Sequence, residues 1–339
     1  MAEQLSERAV AACLRAAVAA PSMHNTQPWR FRFDGAAFDV FPDAERALHS
    51  ADPDGRALHI SVGAAVCNLR VALAAGGRVS RLEPAGERSS RLELAGRRGS
   101  LPEHGGAAVR VIAGGVREPS PDMQALALAI ARRRTNREPF ADAAVPSALL
   151  ESLQRAAATG RTRLVVLDPV RRGAVLAITQ AADAWLRADP GYRRELARWT
   201  SEHADRRDGV SAAVFGAKAT TAALPLRDFG LELPRLSRAA ARFERHPTVV
   251  VLHARGDTPA AWLEAGAALQ RVLLTATVHG LSAQPMTQAL EVPHLRRLLT
   301  PPGERWYPQM ILRIGYGDQV AASPRRPLRT FVTQLAGAA

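Results

Sequence analysis

The chain has 339 residues, 47% of them hydrophobic, which is enough for one large domain or two ordinary ones and too apolar for a disordered protein. Its net charge of +13 would suit a polyanionic partner, but nearly all basic residues are arginines scattered along the chain, with Lys218 the single lysine. No basic run alternates with aromatic residues, so we do not expect a nucleic-acid partner.

The N-terminal segment predicts a helix and not a targeting signal. Glu3 and Glu7 precede a short Ala-rich run, whereas a signal peptide has a basic start and a continuous apolar stretch. No apolar run approaches membrane-spanning length. Cys13 and Cys67 lie in apolar helical patterns, which favours packing as small hydrophobic side chains over a disulfide. These features predict a cytoplasmic protein without a membrane partner.

The most distinctive segment follows the first helix at residues 21–29, Pro-Ser-Met-His-Asn-Thr-Gln-Pro-Trp. Proline, serine and asparagine favour a tight connection there, whatever the function, and a strand over residues 29–33 comes next. A plain turn does not explain the density of side chains that can donate and accept hydrogen bonds. The edge of a heteroaromatic ring such as a flavin requires such groups.

The chain contains an internal sequence repeat whose two copies have diverged. The segments 63–77 and 266–280 both open with Gly-Ala-Ala and both reach a glycine after fourteen residues. Aliphatic residues recur between these ends at helical spacing on more than one face, which predicts a buried helix in each segment. A weaker echo pairs residues 14–17 with 154–157. The repeat predicts two related halves, 1–118 and 119–339, divided in a Gly- and Pro-rich stretch.

Further strands are predicted around residues 109–112, 163–167, 248–252 and 310–314. Because helices dominate by length, the mixture predicts an α+β fold with an antiparallel or mixed sheet in each half. The second half also carries an insertion around residues 185–245. Such an insertion is often a lid over a site, and a surface excursion that packs on the core is the alternative.

Three more polar segments have two interpretations each. Residues 132–140 place clustered guanidinium groups and a hydroxyl at a helix end, which suits either a phosphate or a solvated basic terminus that complements the helix dipole. Residues 280–288 form a turn whose backbone amides could meet a ring nitrogen or carbonyl, and residues 324–327 hold a Pro-bounded arginine pair. Each segment alone is weak evidence for a ligand.

Several enzyme classes are excluded by their missing motifs. The chain has no His-Glu-x-x-His or paired Cys-x-x-Cys spacing, and its nine histidines are scattered, so we expect no metal site. It also lacks a Walker loop, a Gly-x-Gly-x-x-Gly sequence and a Gly-x-Ser-x-Gly elbow. Zinc hydrolases, P-loop enzymes, dinucleotide-binding Rossmann domains and α/β-hydrolases are therefore not expected.

Taken together and in this order, the four polar segments resemble those of the nitroreductase family. In that family a helix ends in an Arg-Arg-Ser/Thr-x-Arg-like motif that binds the FMN phosphate, and a Pro-Ser-x-x-Asn motif comes from the other subunit of a dimer. The arrangement here is similar to the Acg-type FMN-binding proteins, in which two nitroreductase-like halves are fused. The resemblance implies a pseudo-dimer within one chain, with a lid-like insertion in its second half. It also makes a monomer plausible and leaves further association open.

The resemblance assigns roles residue by residue. It implies that Arg133, Thr135 and Arg325 meet the phosphate and that Arg137 approaches the N1/O2 edge of the flavin. The ring would be lined from the opposite half by Pro21, Ser22, Met23 and Asn25, and Pro285 and the backbone of Thr287 would lie beside N5. Two departures are the absence of a Glu-Gly pair beside N5 and a serine at position 323 in place of a basic residue. The full set of expected cofactor-binding residues is Pro21, Ser22, Met23, Asn25, Gln27, Arg133, Arg134, Thr135, Arg137, Pro285, Thr287, Gln288, Arg325 and Arg326.

The function implied is an FMN-dependent NAD(P)H oxidoreductase. It would transfer hydride by a ping-pong mechanism through FMN N5 to a nitroaromatic or quinone-like acceptor, with no catalytic side chain. The first half has no arginine motif, and residues 161–163 of the second half, Arg-Thr-Arg, stand where Pro-Ser-x-x-Asn belongs, so we expect one FMN per chain. The alternative is an FMN store or sensor whose insertion blocks access to the flavin.

Overall fold

The structure is a computed structural model that describes residues 5–84, 109–202, 206–220, 224–233, 235–300 and 303–335. Its helices are α1 Glu7–Val18, α2 Arg56–Ala75, α3 Pro121–Arg132, α4 Ser147–Ala157, α5 Pro169–Ala188, α6 Pro190–Arg198, α7 Pro259–Val278, α8 Gln288–Glu291 and α9 Pro293–Leu298. Its strands are β1 Trp29–Phe33, β2 Ala37–Pro42, β3 Arg78–Pro84, β4 Val109–Val116, β5 Thr162–Val166, β6 Thr200–Ser201, β7 Val210–Ser211, β8 Lys218–Ala219, β9 Ala240–Ala241, β10 Thr248–Arg255, β11 Ser282–Pro285, β12 Trp306–Gly315 and β13 Val332–Leu335.

Two larger sheets organise the molecule. The first has the strand order β13-β1-β2-β4-β3, and the second has the order β11-β12-β10-β5. Neighbouring strands in both sheets are antiparallel, except that β13 runs parallel to β1. The predicted α+β class is therefore confirmed. Because β13 comes from the C-terminus and β1 from the N-terminal region, the end of the chain returns to the first sheet.

The helix ends follow local sequence signals. Ser6 caps α1 by accepting a hydrogen bond from the amide of Ala9 at 3.3 Å, and Ser120 caps α3 in the same way. Thr258 caps α7, and a proline occupies the first turn of both α3 and α7. Side-chain caps satisfy amides that lack partners inside the helix, and proline has no amide to satisfy there. These helices therefore begin where the sequence alone would start them.

The two repeat helices, α2 and α7, cross at their glycines. A Cβ atom built on Gly63 would lie 2.1 Å from the carbonyl oxygen of Leu263, and one built on Gly266 would lie 2.0 Å from that of Ile60. Each glycine thus meets the residue three positions before the other glycine. Real carbon and oxygen atoms cannot approach so closely, so only glycine permits this backbone contact.

Two polar side chains beside the helix crossing occupy matching positions in the repeat. The side-chain amide of Asn68 donates to the carbonyl of Ala16 at the end of α1, and the Nε of Arg271 donates to the carbonyl of Ala156 at the end of α4, both at 2.8 Å. Asn68 follows Gly63 by five residues, as Arg271 follows Gly266. Ala16 and Ala156 are also partners in the weaker sequence echo. The sequence repeat therefore corresponds to matching hydrogen bonds in the structure.

Helix α2 amends one sequence expectation. It is long and apolar enough to cross a membrane by length and composition, although no such run was expected. Most of it is buried inside the protein, as in the core helix of a globular protein. Cys13 and Cys67 are both free and buried, which confirms that they pack without bridging each other.

Residues 167–247 connect β5 to β10 and are here called the β5–β10 segment, of which the structure describes all but residues 203–205, 221–223 and 234. It contains α5, α6 and the short strands β6 to β9. Its apolar side chains, including Trp199, Val214 and Phe229, share one buried cluster with Val249 and Ile311 of the second sheet. The segment begins before α5, so the residues near 185 that sequence analysis gave as its start lie inside a helix.

Candidate functional site

Eight of the fourteen predicted cofactor-binding residues line one cavity of about 200 Å³, here called the arginine cavity. It lies where the end of α3, the loop after α1 and the C-terminal segment meet. Among the residues that the structure describes, no aspartate or glutamate lines it. The eight residues are Pro21, Ser22, Asn25, Arg133, Arg134, Thr135, Arg137 and Arg325.

The loop after α1 has an unusual backbone. His24, Asn25 and Gln27 all have positive φ angles, of 49°, 54° and 52°. Such values are uncommon for residues other than glycine and persist only where the surroundings fix them. The hydroxyl of Ser22 accepts a hydrogen bond from the amide of Gln27 at 2.9 Å, and the side-chain amide of Asn25 donates to the carbonyls of Gly209 and Pro324. Strain concentrated in this loop is typical of a ligand-binding segment.

Arg133 is a buried cation without a counter-ion. It follows the last turn of α3, is 7% exposed, and its side chain has no hydrogen bond or ion pair among the described residues. Burial, together with nearby Arg325 and Arg134, lowers the pKa of Arg133 to about 9. The residue is still charged at neutral pH, and a buried charge without a partner is costly. An anion in the cavity would remove that cost.

The neighbours of Arg133 add donors to the same wall. Arg134 donates from Nη1 to the carbonyls of Ala131 and Arg133, at 2.8 and 2.9 Å, and so closes the end of α3. Thr135 forms a backbone bridge to Ala283, and its hydroxyl has no partner in the described part of the chain. The helix end thus presents two guanidinium groups and one free hydroxyl to the cavity, which is a phosphate-binding chemistry.

Arg137 lines the arginine cavity and also a second cavity of about 290 Å³. It donates from Nη1 to the carbonyl of Val214 at 2.8 Å, and its guanidinium lies 4.7 Å from the ring centre of Phe229. Burial and nearby Arg227 lower its pKa to about 10. Val214 and Phe229 both belong to the β5–β10 segment, so that segment holds Arg137 between the two cavities.

Arg325 lines the cavity, but its N–H donors are used within the protein. It donates to the carbonyls of Val18, Ala19 and Ala20 at the end of α1, and to the side-chain oxygen of Asn25 at 2.9 Å. Burial and nearby Arg134 lower its pKa to about 10. In this arrangement Arg325 fixes the loop after α1.

Gln27 and Arg326 lie outside the cavity and join the loop to the C-terminal segment. The side-chain oxygen of Gln27 accepts from the backbone amide of Arg326 at 3.0 Å, and its amide nitrogen donates to the carbonyl of Arg207 at 2.9 Å. The guanidinium of Arg326 lies 4.8 Å from the ring centre of Phe331. Both residues therefore stabilise the loop after α1 without lining the arginine cavity.

Four other predicted residues do not line the arginine cavity. Met23 packs against the core cluster, and Pro285 ends β11 opposite Leu312. The hydroxyl of Thr287 accepts from Arg227 at 3.1 Å, and the side-chain amide of Gln288 donates to the carbonyl of Pro225 at 3.3 Å. Both hydrogen bonds tie the turn after β11 to the β5–β10 segment.

Sequence reasoning missed His24. It is 6% exposed, neither ring nitrogen has a hydrogen-bond partner in the described chain, and its ring meets Phe229 edge-on at 5.7 Å between centres. Burial, with nearby Arg227 and Arg137, holds the pKa of His24 well below its usual value. The only sequence signal was its place inside the polar segment. No group of three side chains able to hold a metal occurs in the described ranges.

The sequence comparisons agree on one family. The model of the "Nitroreductase family" matches residues 130–316. The Mycobacterium tuberculosis protein "Putative NAD(P)H nitroreductase Rv3131" is 32% identical over 330 residues, covering 94% of this chain and 89% of the relative. "Putative NAD(P)H nitroreductase acg" from the same organism is 28% identical, covering 94% of this chain and 93% of the relative.

The solved structures that resemble the chain are more distant. A Bacteroides fragilis nitroreductase with bound FMN has a TM-score of 0.37 and 14% identity, covering 63% of this chain and 96% of that one. The FMN-dependent nitroreductase NfnB of Mycobacterium smegmatis, in complex with NADPH, has a TM-score of 0.38 and 22% identity, covering 63% and 98%. The family assignment therefore rests on the sequence matches and not on the solved structures. On that evidence the chain belongs to the nitroreductase family.

Proposed function

We propose that the protein is an FMN-dependent NAD(P)H oxidoreductase whose arginine cavity holds the phosphate of FMN. Buried, unpaired Arg133 in a wall without carboxylates is the observation that carries the proposal. A phosphate is the anion that a cluster of arginines and a threonine hydroxyl bind best. Membership of the nitroreductase family makes FMN the source of that phosphate.

The residues of the site would bind different parts of FMN according to their position. Arg133, Arg134 and Thr135 would bind the phosphate, while the loop from Pro21 to Asn25 would line the ring. Arg137, at the junction of the two cavities, would present its charge to the N1/O2 edge and so stabilise negative charge on the reduced ring. When bound, FMN supplies hydride transfer between NAD(P)H and an acceptor in two separate half-reactions. No side chain has to act as a nucleophile.

We also propose that the chain is a pseudo-dimer of two related halves, 1–118 and 119–339. The reciprocal crossing of Gly63 and Gly266 and the matched donors Asn68 and Arg271 support it, since both obey one two-fold relation. One arginine motif then gives one FMN per chain. In such a pseudo-dimer the interface that a family dimer shares would already be buried within the chain, so we expect a cytoplasmic monomer.

The visible spectrum of freshly purified protein tests the FMN proposal. Flavin absorbance should correspond to one FMN per chain, and Arg133→Met should lower FMN affinity by about ten- to a hundredfold because it removes a charge-assisted contact. Arg132→Met is the matched control, because Arg132 is exposed and lines no part of this cavity. Colourless protein that ignores added FMN would refute the proposal, and two flavins per chain would refute the single site.

A flavin store is the second candidate, favoured by the contacts of the β5–β10 segment. Carbonyls of this segment accept hydrogen bonds from Asn25 and Arg137, which line the arginine cavity, and from Gln27 and Gln288, which do not. The segment would therefore serve as a cover over part of the site. Such a cover could keep nicotinamide and acceptor away from the flavin. Anaerobic titration with NADPH separates the candidates, because bleaching within seconds supports the oxidoreductase and no bleaching over minutes supports the store.

Loosening the segment tests the cover without removing it. Deleting the segment would strip the core of Trp199, Val214 and Phe229, so a truncated protein is not expected to fold. Phe229→Ala leaves the segment in place and removes one buried ring, which contacts His24, Phe215 and Arg137. A store should gain flavin reduction by NADPH in this variant, whereas an already open enzyme should show no gain.

A further inference from the structure

The second cavity is lined by charged and apolar side chains that the proposed phosphate-binding site does not use. Arg137 is the one residue among the described ones that lines both cavities. Phe215, Leu224 and Leu226 of the β5–β10 segment form an apolar side, and Phe215 is buried. An apolar side of this kind suits a flat, carbon-rich ligand.

The charges around the second cavity do not cancel. Three of its arginines are paired with acids, since Arg187 lies 3.5 Å from Asp183, Arg238 pairs with Asp228, and Arg227 pairs with Glu291. Two cations remain without an acid. Arg137 bonds only to a carbonyl, and the side chain of Lys218 has no partner in the described structure.

Gln284 adds an unsatisfied amide to the same cavity. It lies on β11, is 5% exposed, and its side-chain oxygen is buried without a hydrogen-bond partner. Its side chain makes no hydrogen bond within the described ranges. Its amide nitrogen can donate to a ligand that offers an acceptor oxygen, and such a ligand would be favoured here.

We propose that the second cavity binds a small planar aromatic anion, such as a nitroaromatic carboxylate, as the electron acceptor. Lys218 would attract the carboxylate, the side-chain amide nitrogen of Gln284 would donate a hydrogen bond to it, and the apolar side would hold the ring. The inference rests on the proposed function, since an acceptor is of use here only beside a bound flavin. With a nitro group the balance is one NAD(P)H and one proton consumed, giving a nitroso group, NAD(P)⁺ and water.

Equilibrium binding to the flavin-loaded full chain tests the charge preference, with 4-nitrobenzoate and its neutral analogue 4-nitrobenzamide as probes. The anion should bind at least fivefold more tightly, and Lys218→Gln should weaken its binding about three- to tenfold, a range set by one charge near the surface. Binding of the amide should not change. Lys218→Arg should keep the preference, and Arg8→Gln, an exposed charge lining neither cavity, should have no effect.

Amine labelling gives a second readout that needs no turnover. Lys218 is the only lysine, so an acetylating reagent modifies this side chain alone, apart from an α-amino group. Mass spectrometry should show that 4-nitrobenzoate slows acetylation of Lys218 severalfold and that 4-nitrobenzamide does not. Gln284→Glu, which adds a negative charge to the cavity wall, should abolish this protection while FMN stays bound.

The outcomes separate the inference from the proposed function because flavin content is measured in the same samples. Yellow protein that binds both probes equally, or whose Lys218 is labelled at the same rate with either probe, overturns the anion site alone. Colourless protein that still prefers the anion overturns FMN binding but supports the anion site.

Discussion

At the scale of single residues, Arg133 differs from its neighbours in where it points. The sequence gives three consecutive arginines at a helix end, which suit either a phosphate or the helix dipole. In the structure Arg132 is exposed, Arg134 bonds to helix carbonyls, and Arg133 turns inward without a partner. Residue type predicted the cluster, but only packing decides which member is buried.

A first prediction follows from the missing counter-ion. Arg133→Met should raise the free energy of unfolding of flavin-free protein by about 1–3 kcal/mol, because it replaces an unpaired buried charge with an apolar chain of similar length. It should also remove the stabilisation that added FMN gives. Urea denaturation with and without FMN measures both effects. Arg132→Met should change neither by more than about 0.5 kcal/mol, and a destabilised flavin-free Arg133→Met protein would contradict the assignment.

A second prediction concerns acid stability. His253 is buried in β10, and burial with nearby Arg163 lowers its pKa to about 4. Below about pH 6.5 the imidazole of His253 binds a proton in the unfolded chain but stays neutral in the folded protein. The free energy of unfolding therefore falls as the pH drops from about 6.5 towards about 4. At pH 5 the loss from this residue should be about 2 kcal/mol.

The difference between variants isolates that effect. His253→Gln should lose less stability than the parent protein between pH 7 and pH 5 in urea denaturation. His279→Gln, at an exposed position after α7, is the control and should follow the parent. Equal pH dependence of all three proteins would show that His253 is protonated in the folded state.

At the scale of elements, the repeat helices were the most predictable part of the fold. Aliphatic spacing and the closing glycines located α2 and α7. The sequence could not predict that Gly63 and Gly266 mark a helix crossing, because a glycine inside a helix gives no sign of what lies opposite. The short strands β6 to β9 and the pairing of β13 with β1 were also missed, since they depend on partners far away in the chain.

A third prediction tests the crossing. Gly63→Ala places a methyl group about where the Leu263 carbonyl lies, so the helices must separate and stability should fall by roughly 3 kcal/mol or more. Gly173→Ala in α5 is the matched control, because its Cβ would meet nothing within 4 Å. That change should stabilise the protein by about 0.5–1 kcal/mol through the helix propensity of alanine. Thermal or urea unfolding of both variants measures these changes in stability, which should have opposite signs.

At the scale of the whole molecule, the arginine cavity exists only because distant parts of the chain meet. Asn25 from the N-terminal region, Arg133 from the middle and Arg325 from the C-terminal segment all line it. Sequence motifs named these residues, but their assembly depends on the return of the chain to the first sheet. The role of the β5–β10 segment was the least predictable, because its contacts with Asn25 and Arg137 are made largely by backbone carbonyls, which carry no sequence signature.

That return of the chain has a practical consequence. The backbone amide of Phe31 donates to the carbonyl of Phe331 at 2.8 Å, so strands from opposite ends of the chain hold each other directly. Cutting the connection between β4 and α3, at residues 117–120, would leave this pairing and the helix crossing untouched. Separately expressed fragments 1–118 and 119–339 should therefore reassemble without a covalent link. Recovery of yellow colour on mixing would report complementation, and fragment 119–339 lacking residues 322–339 should fail to restore it.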